Sequence, residues 1–416
     1  MSETSAKDKT KKANKKEYKR ANRFAYWFFI SVIARFILKV MLHTGIDKTG
    51  LEELIEKGGP ALVVSSHTSN LDFLYSGLAL YPNVVTFVGS HHFTLNKITN
   101  FFMRISHAIP KKMFCADVNT IITMLRARDK GQIIVLYPEG RLPCAGNSVD
   151  VTDGTAELVK KLGVDVYWIT QDGAYKSVPK WAGLKFRPGR VLVHGGKLFS
   201  KEEIKDLTKE EIYEALQNAI RHDDDKVLTD VRYRCKNTAE GLDGILYKCP
   251  VCADEFKMTS SGRILSCGSC GSSWELDEKY VLHGPVFDHI NEWYDWQMEV
   301  LDTDDIIDSP VGVGTVDSMG KFDKNAGHGR LVVDRDTINF DGEVFGEPLK
   351  FTEKTTVIPA FPASVADHVS MYSKHVLYYF YPEPDRRYSV RWVQYLDKVT
   401  KERKAGVSIS AAAFDK

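Results

Sequence analysis

The stretch Leu62-Val-Val-Ser-Ser-His67-Thr-Ser-Asn-Leu-Asp72 holds an imidazole and a carboxylate at a spacing suited to general-base chemistry. Its apolar run predicts a buried strand, and Thr68-Ser69-Asn70 offers helix-capping side chains directly after it. A strand-to-helix turn would present His67 at the strand end and Asp72 on the first helical turn. The carboxylate could then reach one imidazole nitrogen and leave the other to accept a proton. Taken alone, His-x4-Asp is also what a surface histidine beside a capping aspartate looks like.

A second strand-end motif follows. Gly131-Gln-Ile-Ile-Val-Leu-Tyr137-Pro138-Glu139-Gly140-Arg141 is an apolar run entering a sharp, polar, glycine-containing turn. In this order the two motifs resemble the glycerolipid acyltransferase family, over roughly residues 45–220. That resemblance implies a 1-acylglycerol-3-phosphate O-acyltransferase-like enzyme. It would move a fatty acyl group from a thioester, carried by coenzyme A or acyl carrier protein, to a hydroxyl of lysophosphatidic acid or a related lysophospholipid. His67 would be the base and Asp72 would hold its tautomer. Glu139 and Gly140 would shape the acceptor pocket, and Arg141, Lys111 and Lys112 would meet the acceptor phosphate. Where the family usually carries a glycine and, six residues on, an arginine, this chain has Ser106 and Lys112. Lysine brings positive charge without the bidentate fork of arginine. A catalytically weak acyltransferase fold, serving as a membrane-recruited lipid- or protein-binding module, is the competing reading.

Alternating strand and helix patterns predict an α/β layered acyltransferase domain with a largely parallel sheet over residues 43–240. Before it, residues 1–23 carry nine Lys or Arg against three Asp or Glu, a basic arm expected to be mobile. Phe24–Leu42 is a 19-residue apolar helix candidate, just long enough to span a bilayer. Arg35 and Lys39 fall on one narrow stripe, which suits a helix lying in the membrane interface. The expected setting is therefore the cytoplasmic face of a membrane, peripheral or monotopic, with the phospholipid surface as a partner. Seven cysteines include two Cys-x-x-Cys pairs and an odd remainder, which argues against a disulfide framework.

Cys249, Cys252, Cys267 and Cys270 form two knuckles fourteen residues apart, at residues 245–282. Four thiolates fill a tetrahedral zinc site, so one structural zinc per chain is expected. Asp and Glu are frequent there and no basic patch surrounds the knuckles, which disfavours nucleic acid as a partner. Short strands at Arg330–Asp334, Thr337–Phe340, Leu349–Thr352, Thr356–Ile358 and Val376–Tyr381, closed by an amphipathic helix at Ser389–Glu402, predict a β-rich C-terminal domain over residues 300–405. Its outline is similar to a pleckstrin-homology or GRAM module, which implies a lipid or protein partner. His91, His92 and His107 have no motif around them and read as structural or surface residues.

Overall fold

The computed structural model describes residues 22–115 and 117–414. The basic lead expected at residues 1–23 lies, apart from its last two residues, outside the described residues.

Apolar runs too short for helices build a seven-stranded sheet. Its strands are β1 (Thr44–Ile46), β2 (Ala61–Ser65), β3 (Val85–Ser90), β4 (Ile109–Lys111), β5 (Ile133–Leu136), β6 (Asp165–Asp172) and β7 (Val191–Phe199). They lie in the order β1-β7-β6-β2-β5-β3-β4. Every neighbouring pair is parallel except β6 with β7. Both faces are covered, as parallel sheets require. Ala61 and Val63 enter one core, and Leu62 and Val64 the opposite one.

Helices α1 (Arg23–Met41) and α2 (Asp72–Ala79) cover the first face. Helices α3 (Val118–Asp129), α4 (Thr155–Leu162) and α5 (Lys209–Ile220) cover the second. The charge pattern over residues 201–221 reads as one helix in the sequence, but the structure breaks it at Leu207, because Thr208 forms a capping box with Glu211 and starts α5 afresh.

Beyond Arg23, helix α1 is apolar apart from the stripe of Ser31, Arg35 and Lys39, and the structure divides its apolar residues between two faces. Tyr26, Ile30, Ala34, Leu38 and Leu42 are buried in the domain core. In a regular helix of 3.6 residues per turn, residues four apart drift by about 40° each step. Over Phe29–Ala34 and Phe36–Met41 the helix instead winds more widely, in π-type turns, which holds the stripe in line with the sheet. The other face leaves Phe24, Trp27, Phe28, Val32, Phe36 and Val40 exposed. Phe29 links this face to Phe73 at 6.4 Å and to Phe102 at 5.3 Å. Phe101, Phe102 and Ile98 on the Lys97–Ile105 helix continue the apolar surface.

Beyond the sheet, β8 (Met258–Ser261), β9 (Ile264–Cys267), β10 (Ser273–Leu276) and β11 (Leu282–His283) form a small antiparallel sheet. Its core of Trp274, Leu276, Tyr280 and Leu282 is continuous with Trp293 from α6 (Ile290–Glu299) and with Tyr175 and Trp181 of the first unit.

A third, antiparallel sheet holds β12 (Ile307–Val316), β13 (Phe322–Val333), β14 (Thr337–Val344), β15 (Glu347–Lys354), β16 (Ala363–Ser364), β17 (His368–Ser373) and β18 (Val376–Pro382). Helix α7 (Tyr388–Phe414) packs Trp392, Val393, Leu396 and Val399 into this core and Val390 into the preceding one. Thr356–Ile358, expected as a strand, is a turn instead: Val357 and Ile358 bond back to Lys354.

Candidate active site

Strand β2 ends at Ser65, and Ser66 keeps the sheet pairing by donating to the Ile169 carbonyl at 3.0 Å. Beneath the turn, Ser66 Oγ donates to Gln171 Oε1 and Gln171 Nε2 donates to Ser65 Oγ, each at 2.7 Å. The main chain feeding into His67 is thus fixed by side chains as well as by the sheet. His67 Nδ1 lies 2.9 Å from Asp72 Oδ2. The Asp72 carboxylate is buried, whereas 27% of the His67 side chain is exposed. Asp72 also accepts the Ser69 N–H on both oxygens, at 3.1 and 3.0 Å.

The sequence predicts Thr68-Ser69-Asn70 as the cap of this helix. The roles are reversed, since Leu71 sits at the cap position without a side-chain bond and Asp72 reaches back to the turn. Burial pushes the Asp72 carboxyl up, opposed by the His67 imidazole and the Ser69 N–H. With only N–H donors around it, the carboxylate is placed to accept from Nδ1–H. That tautomer leaves Nε2 as the basic nitrogen. Nε2 has no partner among the described residues. The Tyr137 ring stands 4.7 Å from the imidazole, centroid to centroid, and limits its rotation.

Glu139, expected in the acceptor pocket, is buried. Its Oε2 accepts the His67 backbone N–H at 2.6 Å and its Oε1 accepts that of Val149 at 3.1 Å. It positions the main chain of the histidine. Burial pushes its carboxyl up to about 7, against the pull of His67 and the two N–H groups. Gly140 has φ +75, and a Cβ there would come within 3.2 Å of Met113 and 3.3 Å of Phe114. Any other residue would be strained.

Two of the three cations expected at the acceptor phosphate have partners in the C-terminal part of the chain. Arg141 forms an ion pair with Asp397 of α7 through Nη2, with only 12% of its side chain exposed. Lys112 donates from Nζ to the His375 carbonyl at 3.4 Å and lies 5.5 Å over the Tyr372 ring. Lys111 is half-buried at the end of β4, and burial lowers its pKa. His91 and His92, expected to be structural or surface residues, meet Tyr372 and Tyr379 of the C-terminal sheet. Nothing local in the sequence signals these pairings across the chain.

Cys249, Cys252, Cys267 and Cys270 offer four sulfur atoms that all lie within 4.8 Å of one another. The Cys249–Cys270 and Cys252–Cys267 sulfur separations are both 3.7 Å. A tetrahedron of Zn–S bonds of about 2.3 Å has edges of about 3.8 Å. Burial pushes the Cys249 thiol up, opposed by the backbone N–H groups of Cys252 and Val251, whereas Ser272 lowers the pKa of Cys270 through its side chain and backbone. The four cysteines can hold a metal such as zinc, as the donors of a compact ribbon.

Residues 46–170 match the family model described as Acyltransferase. By that match residues 46–170 of the first unit carry an acyltransferase domain. Among solved structures the chain is similar to a crystal structure of the 1-acyl-sn-glycerophosphate (LPA) acyltransferase PlsC from Thermotoga maritima. The two are 20% identical, with 49% of this chain and 83% of that one covered, at a TM-score of 0.36. No curated protein matches the chain.

Proposed function

We propose that the protein is a membrane-associated O-acyltransferase that moves a fatty acyl group from a thioester, on coenzyme A or acyl carrier protein, to a hydroxyl of a lysophospholipid such as lysophosphatidic acid. The observation that carries this reading is the His67–Asp72 pair, 2.9 Å apart, with Asp72 buried and 27% of the histidine side chain exposed. His67 Nε2 takes the hydroxyl proton as the oxygen attacks the thioester carbonyl. The C–O bond forms, the C–S bond breaks, and the imidazolium returns the proton to the departing thiolate. Asp72 steadies the imidazolium. Glu139 fixes the height of His67 through its backbone.

The exposed apolar face of α1, together with Ile98, Phe101 and Phe102, supports attachment to the membrane surface. Zinc in the ribbon has a structural role, because all four of its positions are filled by sulfur. The C-terminal sheet supplies a lipid or protein contact of pleckstrin-homology-like outline.

The engagement of Arg141 and Lys112 by the C-terminal part favours one second reading, a catalytically weak fold acting as a membrane-recruited binding module. Turnover decides between them. Purified full-length protein should acylate lysophosphatidic acid from an acyl thioester, and His67→Ala should abolish the reaction while the variant still binds vesicles. Absence of turnover with any thioester and any lysophospholipid would refute the enzyme and leave the binding module.

A further inference from the structure

At the far edge of the main sheet a cleft of about 540 Å³ opens between the end of α1, the start of β1 and the loop before β7. Lys39, His43, Arg190, Arg232 and Arg234 line it, and no carboxylate does. All five side chains belong to exposed residues. Among the described residues, none of the four Lys and Arg side chains is in an ion pair. Such a concentration of unneutralised cations is unusual in a chain whose net charge is only +1. Like-charge repulsion is already felt next to it: Arg35 and Lys39 help burial to lower the pKa of Lys48.

The cleft is built, not a chance gathering of mobile side chains. Tyr233 is fully buried between Arg232 and Arg234, and its hydroxyl donates to the Arg190 carbonyl at 2.9 Å. The Arg234 N–H donates to the Pro188 carbonyl at 2.8 Å. Gly189 lies flat on the Tyr233 ring, where a Cβ would stand only 2.3 Å from it. One tyrosine therefore ties the two arginine-bearing segments together and presents three guanidinium groups to one space.

Topology places the cleft at the same end of the sheet strands as His67. Thr44 pairs with Val191, Leu192 with Asp172, and Ile169 with Ser65. The beginnings of β1 and β7 thus lie at the end of the sheet where β2 runs into the catalytic turn. Three strand spacings separate them, about 14 Å. In a lysophospholipid the acylated hydroxyl and the phosphate are only a few bonds apart, so an acceptor seated at His67 does not fill the cleft. Phe36 and Val40, exposed on the apolar face of α1, flank Lys39 and lead from the cleft to the apolar surface.

We infer that this cleft is a second lipid site, which takes the phosphate headgroup of an anionic membrane phospholipid while its acyl chains lie against the exposed face of α1. Guanidinium groups match phosphate oxygens by geometry as well as by charge. The inference rests in part on the membrane-surface reading given above, and its test separates the two.

Full-length protein is measured on phosphatidylcholine vesicles with and without phosphatidic acid, and in solution with dihexanoyl phosphatidic acid. The triple variant Arg190→Gln, Arg232→Gln, Arg234→Gln should bind phosphatidic acid vesicles about 100-fold more weakly, at about 5-fold per cation. Its binding to neutral vesicles should be unchanged, which also shows that it is folded. Phe36→Glu combined with Val40→Glu should weaken binding to both vesicle types. If wild type ignores vesicles but binds dihexanoyl phosphatidic acid through the arginines, the site stands and the surface attachment fails. Equal binding of the triple variant and wild type to vesicles and to the soluble lipid overturns the site. So does a cleft that binds adenosine diphosphate or inorganic phosphate but not phosphatidic acid, because it would then belong to the nucleotide end of an acyl donor or to a free anion.

Discussion

Removing Asp397 tests what Arg141 does. A guanidinium cannot shed its proton to escape burial, so Asp397→Ala would strand a charge with 12% of its side chain in water. Breaking a fully buried pair costs about 3–5 kcal/mol. With 12% and 21% of the two side chains exposed, water relieves part of that, and a loss of about 2–3 kcal/mol is expected. Arg141→Ala should cost less, about 1–2 kcal/mol, since burial already pushes the Asp397 carboxyl up and the acid can take a proton. Replacing both, as Arg141→Met with Asp397→Leu, should come out near zero. The assay is urea unfolding of all four proteins followed by tryptophan fluorescence, together with the acceptor KM for lysophosphatidic acid and for monoacylglycerol. The double variant should restore the midpoint lost in Asp397→Ala and leave both KM values alone. If Asp397→Ala does not move the midpoint, and Arg141→Ala raises KM for lysophosphatidic acid only, the guanidinium reads the acceptor phosphate and this reasoning fails.

His67→Ala should lower kcat by at least ~100-fold with little change in unfolding midpoint, checked by thioester-release kinetics. Glu139 should impose a pH dependence. Its folded pKa, about 7, lies above the ordinary carboxyl value, so the folded state holds the proton more tightly and stability falls as pH rises from about 4.5 to 7. Glu139→Gln should remove that slope, seen as a melting-temperature difference from wild type that narrows toward acid or changes sign across the window; parallel melting curves over pH 4–8 would contradict it. Purified protein should carry about one zinc per chain, and Cys249→Ser or Cys267→Ser should lose the metal together with near-ultraviolet ellipticity from Trp274; metal analysis finding none in protein with reduced thiols would end the zinc reading.

Strands β2 and β5 were legible because parallel strands buried on both faces are written as unbroken apolar runs. The spacing of His67 and Asp72 was legible because both lie within one turn. Strands β12 and β13 were largely hidden. Pro310, Gly312 and Gly314 in the one, and Gly327 and Gly329 in the other, look like loop residues. Gly327 is needed where a Cβ would collide with the Glu343 carbonyl at 1.9 Å. Thr356-Val-Ile358 misled in the opposite direction, its β-branched residues serving a turn. In α1 only a narrow stripe with Arg35 and Lys39 is polar and the rest is apolar, so no period singled out the face that the core would take. The partners of Arg141, Lys112 and His92 lie more than 250 residues away in sequence, where no local pattern reaches.

Glu139 grips His67 by its main chain, and so the scaffold does not depend on which side chain stands at position 67. A chain that had lost the imidazole would keep the turn and the buried Asp72. On the proposed activity, substrate recognition and turnover would then be separable by a single codon, leaving a chain of unaltered shape. The same indifference makes His67→Ala a trap: incubated with both substrates, it should retain the unreacted thioester and alcohol side by side, where each can be identified by mass.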